Sequence, residues 1–379
     1  MPIYLDNSAT TRPTEDVIAA MTQCMREGFY NPSALYGPAL ASQMAMKSCR
    51  DAIIRAIHAQ KSARVIFTSG GTEADNLLIL GSAGKLHGQG RVLYSAGEHP
   101  AVKEACQRCG LEAAEIPYDH RGIVDLEAYR ELLTPETALV CCMQVNTEPG
   151  AIQPLWEMAR LRDKICPQAL FHVDGVQGFL RVPLDMMAVG VDSYALSGHK
   201  IHGPKGVGAL VLGYRAQITP RQVGGGQEGA LRSGTENTPG IAGLLTAIET
   251  YPKESSMREN KLLLWRLIRE AIPTAQVNGP EPDAEDAAPH ILNVSLPPVR
   301  SETMLHALEG EGIYVGMGSA CSSRKQKISP VLKAMGTPQR NAESALRFSL
   351  SPENTAEEMA QTAQAIKRQY DVLSKFQRR

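Results

Sequence analysis

The chain has 379 residues, a length that suggests two or three domains or one large α/β domain with a smaller companion, and its 43% apolar and 21% charged residues are ordinary for a soluble globular protein. Its 39 basic and 40 acidic residues leave a formal net charge of −1, so composition offers no electrostatic footprint for nucleic acid or an anionic membrane. No apolar run reaches membrane-spanning length, and MPIYLDNSATT lacks the basic-then-apolar order of a signal peptide. A cytoplasmic location is therefore expected, with the eight cysteines as thiols rather than disulfides.

In chain order, residues 38–58 carry apolar positions at helical spacing. RVIFTSG (64–70) reads as a short strand ending in glycine, and TEADNLLILGSAGKL as the helix after it. RVLYSAG, ALVCCMQVN, ALFHVDGVQ, DSYALSGHK and GVGALVLG follow as short runs, most of them continuously apolar. Strands buried on both faces look like this, so the alternation predicts an α/β architecture with a mostly parallel sheet covered by helices. Residues 221–240, Gly-rich and polar, read as a loop. Residues 239–272 read as helical, and the Pro/Asp/Ala stretch that ends at residue 290 as a flexible connection. ILNVSL and ALRFSLS, with the helical patterns SETMLHALEGEG and TAEEMAQTAQAIKRQYDVL, predict a smaller α+β unit. The expected division is a large domain over 15–250, and a small one built from 1–14 and 251–379.

Three features point to one chemistry. In SYALSGHKIHGPKGVGAL a strand runs into Lys200 among small residues, a setting in which a lysine amine sheds its charge and becomes a nucleophile. In FHVDGVQG, Asp174 ends the preceding strand. TSGGTEADN follows a strand and opens a helix, so Thr72 and the first helical N–H groups would face an anion. Each has a plainer reading: a surface lysine, a turn aspartate, and a helix capped by Thr72 and Asp75. Together they match what pyridoxal phosphate (PLP) requires: a lysine for covalent attachment, a carboxylate for the ring nitrogen and a phosphate cradle. Cys106 and Cys109 form a CxxC, but with no second pair nearby they read as thiols rather than a metal site. No metal is expected. GMGSACSSRKQ (316–326) sets Cys321 among glycines and serines, which suggests a mobile loop. Arg324, Lys325 and Lys327 nearby favour the thiolate.

The set YLDNSATT, NPS, TSGGTEADN, GEHPAV, VNTEPG, HVDGVQ, SGHKIHGPKG, RSGTEN, GSACSS and LRFSLS resembles the cysteine desulfurases of NifS/IscS type. These are fold-type-I PLP enzymes of the class V aminotransferase group, with a large domain whose mixed sheet is sandwiched by helices and a smaller C-terminal domain. The resemblance runs from residue 3 to about 351. It implies that Lys200 binds PLP covalently, Asp174 pairs with the ring nitrogen, Gln177 bonds the ring oxygen and His99 stacks on the ring. Gly71, Thr72, Ser197 and His199 would hold the phosphate, with Thr235 reaching in from the second subunit of a homodimer. Arg347 would clamp the substrate carboxylate. Read alone, His99 is a strand-end histidine and Arg347 a surface residue of an alternating strand. The implied reaction converts L-cysteine to L-alanine, with Lys200 and His99 moving protons. Cys321 would take the sulfur as a persulfide and pass it to an acceptor protein, such as an iron–sulfur scaffold or a tRNA-thiolation enzyme. A selenocysteine lyase, another class V transaminase or lyase, and a non-catalytic scaffold are the alternative readings. Two positions depart from the family pattern. Asn146-Thr147-Glu148 stands where Asn-Asn-Glu is usual, so Thr147 is expected to make a retuned cofactor contact, with Asn146 doubtful as a ligand. Tyr36 replaces a histidine, and nothing in the sequence explains that change.

Overall fold

A computed structural model describes residues 2–317 and 328–376. Its strands are β1 (Ile3–Leu5), β2 (Arg64–Thr68), β3 (Arg91–Ser95), β4 (Glu112–Ile116), β5 (Thr137–Met143), β6 (Leu170–Asp174), β7 (Ser193–Ser197), β8 (Gly208–Leu212), β9 (Gln276–Val277), β10 (Ile291–Ser295), β11 (Ile313–Val315) and β12 (Ala345–Ser349). Seven of them form one sheet in the order β2-β8-β7-β6-β5-β3-β4. Only β8 runs antiparallel to its neighbours; the remaining pairs are parallel. β5 through β8 are buried almost without interruption, as their continuous apolar runs require. β4, at the sheet edge, has the sequence EAAEI and is largely exposed.

This topology places the carboxyl ends of β2, β3, β5, β6 and β7 along one sheet edge. The loops leaving that edge are where open α/β sheets bind their ligands. A second, three-stranded antiparallel sheet has the order β12-β10-β9, and β1 pairs in parallel with β11. A separate apolar cluster gathers Ile3 and Leu5 with residues from 257 to 366. Bridges from Asp6 to Ser349 and from Gly316 to Arg347 tie the two small sheets together.

Two expectations are corrected. Residues 239–272 form two helices, Thr238–Thr250 and Met257–Ala271, because Pro252 holds the residue before it, the cap Tyr251, extended and cannot itself continue the helix. The stretch ending at residue 290 is not a flexible connection. It contains β9, buries Ala287 and Ala288, donates from Ala288 N to Gly150 O at 2.8 Å, and pairs Asp286 with Arg121 at 2.8 Å. Its alanines are small enough to pack closely under the neighbouring chain.

Candidate active site

The carboxyl edge of the large sheet encloses a cavity of about 220 Å³. After β2 the chain turns into the helix Gly71–Leu86, whose N-cap is Gly70 and which has no side-chain cap. A Cβ on Gly71 would lie 2.5 Å from Val176 Cγ2, so only glycine brings this helix start against the turn after β6. The capping-box reading of Thr72 and Asp75 fails. Asp75 turns inward to His172 Nε2 at 3.1 Å, and His172 Nδ1 meets Ser193 Oγ at 3.0 Å. The helix N-terminus is thus left open to an anion.

Asp174, the last residue of β6, is buried on the cavity floor. Its Oδ1 accepts from Val176 N at 2.9 Å, and burial raises its carboxyl above the usual range. Lys200 follows β7 in the short turn Gly198–Lys200. Its Nζ donates to Ser8 O at 2.5 Å and Ala9 O at 2.8 Å. Burial, then Arg347 and Arg181, lowers its amine to about 7. The neutral amine is the nucleophile, so PLP uptake by the apoprotein is expected to rise with pH through about 7 and then level off. Stopped-flow absorbance checks this; a midpoint near that of ordinary lysine would contradict it.

His99 is not a strand-end residue. It caps the helix Pro100–Arg108, its Nδ1 accepting from Ala101 N at 3.1 Å. That bond leaves the ring proton on Nε2, and burial holds the imidazole below its ordinary pKa, so it is neutral. Gln177 Nε2 donates to Ser8 O at 2.9 Å and to Thr147 Oγ1 at 3.2 Å. Thr147 therefore faces the cavity with its hydroxyl, whereas Asn146 Oδ1 accepts from Glu148 N at 3.0 Å and serves the loop itself. Ser197 and His199 also line the cavity. His199 Nδ1 lies 3.1 Å from Thr10 Oγ1, and burial with Lys200, Lys205 and Arg181 lowers it to about 4.

Arg347 is 1% exposed, which corrects its reading as a surface residue: β12 is buried on both faces. Its Nη2 pairs with Asp6 Oδ1 at 2.7 Å and its Nη1 donates to Thr147 O at 3.0 Å, while Nε has no partner among the described residues. A Cβ on Gly316 would come within 2.9 Å of this guanidinium, so the glycine leaves it room. Thr235 does not reach the cavity of its own chain. It lines a separate one of about 130 Å³ beside Thr68, Glu228 and Arg232. Cys321 lies outside the described residues. Cys106 is buried with its Sγ 3.9 Å from Cys141 Sγ, and Cys109 Sγ donates to Cys106 O. Among the described residues no group of three or more His, Cys, Asp or Glu side chains is arranged to hold a metal ion.

Sequence reasoning missed Asp6, Ser8, Ala9 and Arg181. Ser8 and Ala9 act through main-chain carbonyls, which carry no residue-type signal. The residues present fit PLP. A buried carboxylate with no cation bonded to it among the described residues suits a protonated ring nitrogen, and the open helix start suits a phosphate. The buried Ser8 Oγ has no partner among the described residues, and Ser8 lines the same cavity.

A sheet of this topology with a lysine and an aspartate at its carboxyl edge defines a fold-type-I enzyme. The chain belongs to the Aminotransferase class-V family, whose description matches residues 3–361, and members of that family are PLP enzymes. A cysteine desulfurase of Sinorhizobium fredii is 37% identical over 374 residues, covering 96% of this chain and 95% of that protein. The cysteine desulfurase IscS of Dictyoglomus turgidum is 36% identical, covering 97% and 94%. Among solved structures, a NifS-like protein superposes with a TM-score of 0.90 at 33% identity, covering 98% of this chain and 100% of that one.

Proposed function

We propose that this protein is a cysteine desulfurase that converts L-cysteine to L-alanine and moves the sulfur to Cys321 as a persulfide. The observation that carries the reading is the meeting of Lys200, Asp174, His99 and Arg347 around one cavity, in a chain whose relatives bear that name. Gly71, Thr72, Ser197 and His199 would hold the phosphate, Asp174 the ring nitrogen, Gln177 and Thr147 the ring oxygen, and Lys200 the covalent link. When bound, PLP supplies an electron sink for the carbanion at the substrate Cα.

Arg347 orients the substrate carboxylate through its planar fork; Asp6 and Thr147 O keep that fork in place. The Lys200 amine, lowered to about 7 and so with a large neutral share at physiological pH, takes the Cα proton. His99, neutral with its proton on Nε2, donates a proton on the other limb. The Cys321 thiolate attacks the substrate sulfur. The Cβ–S bond breaks, an S–S bond forms on Cys321, Cβ gains a proton and alanine leaves. Sulfur is oxidised and carbon reduced within the same exchange, so no outside oxidant enters. An acceptor thiolate of another protein, such as an iron–sulfur scaffold or a tRNA-thiolation enzyme, then takes the terminal sulfur. Thr235 completes the phosphate site of a second subunit, which makes the working form a homodimer in the cytoplasm.

The test is turnover of L-cysteine by PLP-loaded protein in the presence of a thiol reductant. Alanine and sulfide in equal amounts support the reading; neither product refutes it. Cys321→Ser is expected to keep the bound-cofactor absorbance and lose sulfide release by at least about 10²-fold. Unchanged sulfide release from that variant would remove Cys321 from the mechanism and leave a plain lyase.

A further inference from the structure

We infer that Arg181 is a positioning residue that fixes how Gln177 and Lys200 face the cofactor cavity. The inference rests on the PLP reading above and concerns two bonds of one buried guanidinium. Arg181 is 7% exposed and sits in the turn after β6, four residues beyond Gln177. Its Nη1 donates to Gln177 Oε1 at 3.0 Å, and its Nη2 donates to the backbone carbonyl of Lys200. A single cation therefore clasps the turn that carries Gln177 to the turn that carries Lys200.

The first bond settles which way the Gln177 amide points. A guanidinium has donors and no acceptor, so the group facing it must be the amide oxygen. The amide NH₂ is then turned toward Ser8 O and Thr147 Oγ1, on the cavity side. A cofactor oxygen needs a donor there, and the reversed amide would present an acceptor instead. The second bond holds the Lys200 carbonyl, and with it the peptide plane from which the lysine side chain starts toward Ser8 and Ala9. Arg181 Nε is buried and has no partner among the described residues. The guanidinium is thus placed for its two Nη contacts at the expense of its Nε donor.

Arg181 also acts on charge. The groups facing the Lys200 amine are Arg347 and Arg181 on the positive side and Asp174 and Asp6 on the negative, with His99 and His199 adjoining. Removing Arg181 takes away one positive charge that favours the neutral amine, so protonation at Lys200 moves to higher pH. A purely structural arginine would lower thermal stability and leave that midpoint where it was.

The experiment compares Arg181→Met, Arg181→Lys, Gln177→Leu and the Met/Leu double variant with the wild-type protein. PLP affinity of the apoproteins is measured by equilibrium dialysis, and the pH midpoint of PLP uptake by the same apoproteins, which the free Lys200 amine governs, is measured by stopped-flow absorbance. Arg181→Met is expected to weaken PLP binding by about tenfold and to raise the midpoint. Arg181→Lys restores the charge without the fork, so the midpoint returns toward wild type while the affinity does not. Gln177→Leu loses as much affinity as Arg181→Met, and the double variant loses little more than either, because the two side chains act as one unit. Additive losses overturn the inference, as does Arg181→Met with wild-type affinity and midpoint, or with a lower melting temperature as its only defect. Wild-type protein that takes up no PLP overturns the cofactor reading and this inference together; wild-type uptake matched by Arg181→Met overturns this inference alone.

Discussion

Lys200→Ala is expected to give a folded protein that no longer binds PLP covalently and forms alanine at least about 10²–10⁴-fold more slowly, since proton transfer at Cα is lost. The loss of function comes without a loss of fold. Among the described residues Lys200 Nζ bonds to the carbonyls of Ser8 and Ala9, and the surrounding protein disfavours its charged form. For a lysine whose amine is lowered to about 7, the unfolded chain holds a proton that the folded chain releases between that pH and the ordinary lysine value. Folding is therefore opposed by this group at neutral pH, and the opposition fades as pH rises. Removing the side chain leaves the melting temperature unchanged or higher. Absorbance spectra, calorimetry and alanine assays on the purified variant check the three statements. A variant that retains the bound-cofactor absorbance of the wild type would displace Lys200 from its role.

Asp174→Asn is the second large effect. The carboxyl is buried at the end of β6 with one backbone donor, Val176 N, on Oδ1. Opposite a protonated ring nitrogen it would form a buried ion pair, and breaking such a pair from one side costs about 3–5 kcal/mol. That corresponds to roughly 10²–10⁴-fold in rate if the pair is strongest when the ring holds the electrons of Cα. Asparagine keeps the shape and the Val176 contact, so the fold is preserved. PLP affinity is expected to fall less than the rate does, because the amide still bonds the ring nitrogen but cannot hold its positive charge. Equal losses in affinity and rate would mean that Asp174 anchors the ring without governing its chemistry.

The parallel sheet can be read from the chain because strands buried on both faces must be continuously apolar. The edge strand β4 cannot, since EAAEI is largely exposed and reads like a helix surface. β1, β9 and β11 are too short for a period to show. The helix break after Tyr251 did have a signal, Pro252. In the site, Lys200, Asp174 and TSGG announce themselves because titratable or phosphate-binding groups stand at strand ends. His99 is followed by Pro100, and a proline at the first helical position marks the residue before it as a cap. Arg347 is obscured by its strand. Only the long-range contacts with Asp6 and Thr147 explain an arginine buried on both faces of β12. The carbonyls of Ser8 and Ala9 that receive the Lys200 amine lie about 190 residues away in sequence and carry no side-chain signature.

The central claim is that sulfur leaves L-cysteine at this cavity and arrives on Cys321. It is tested most directly by a single turnover: PLP-loaded protein is mixed with a small excess of L-cysteine, without reductant or acceptor, and quenched for alanine assay and peptide mass measurement. The expected result is one equivalent of alanine per site and, on the peptide containing Cys321, the added mass of one sulfur atom that reductant removes. Alanine formed with no added sulfur on that peptide, or no alanine at all, contradicts it.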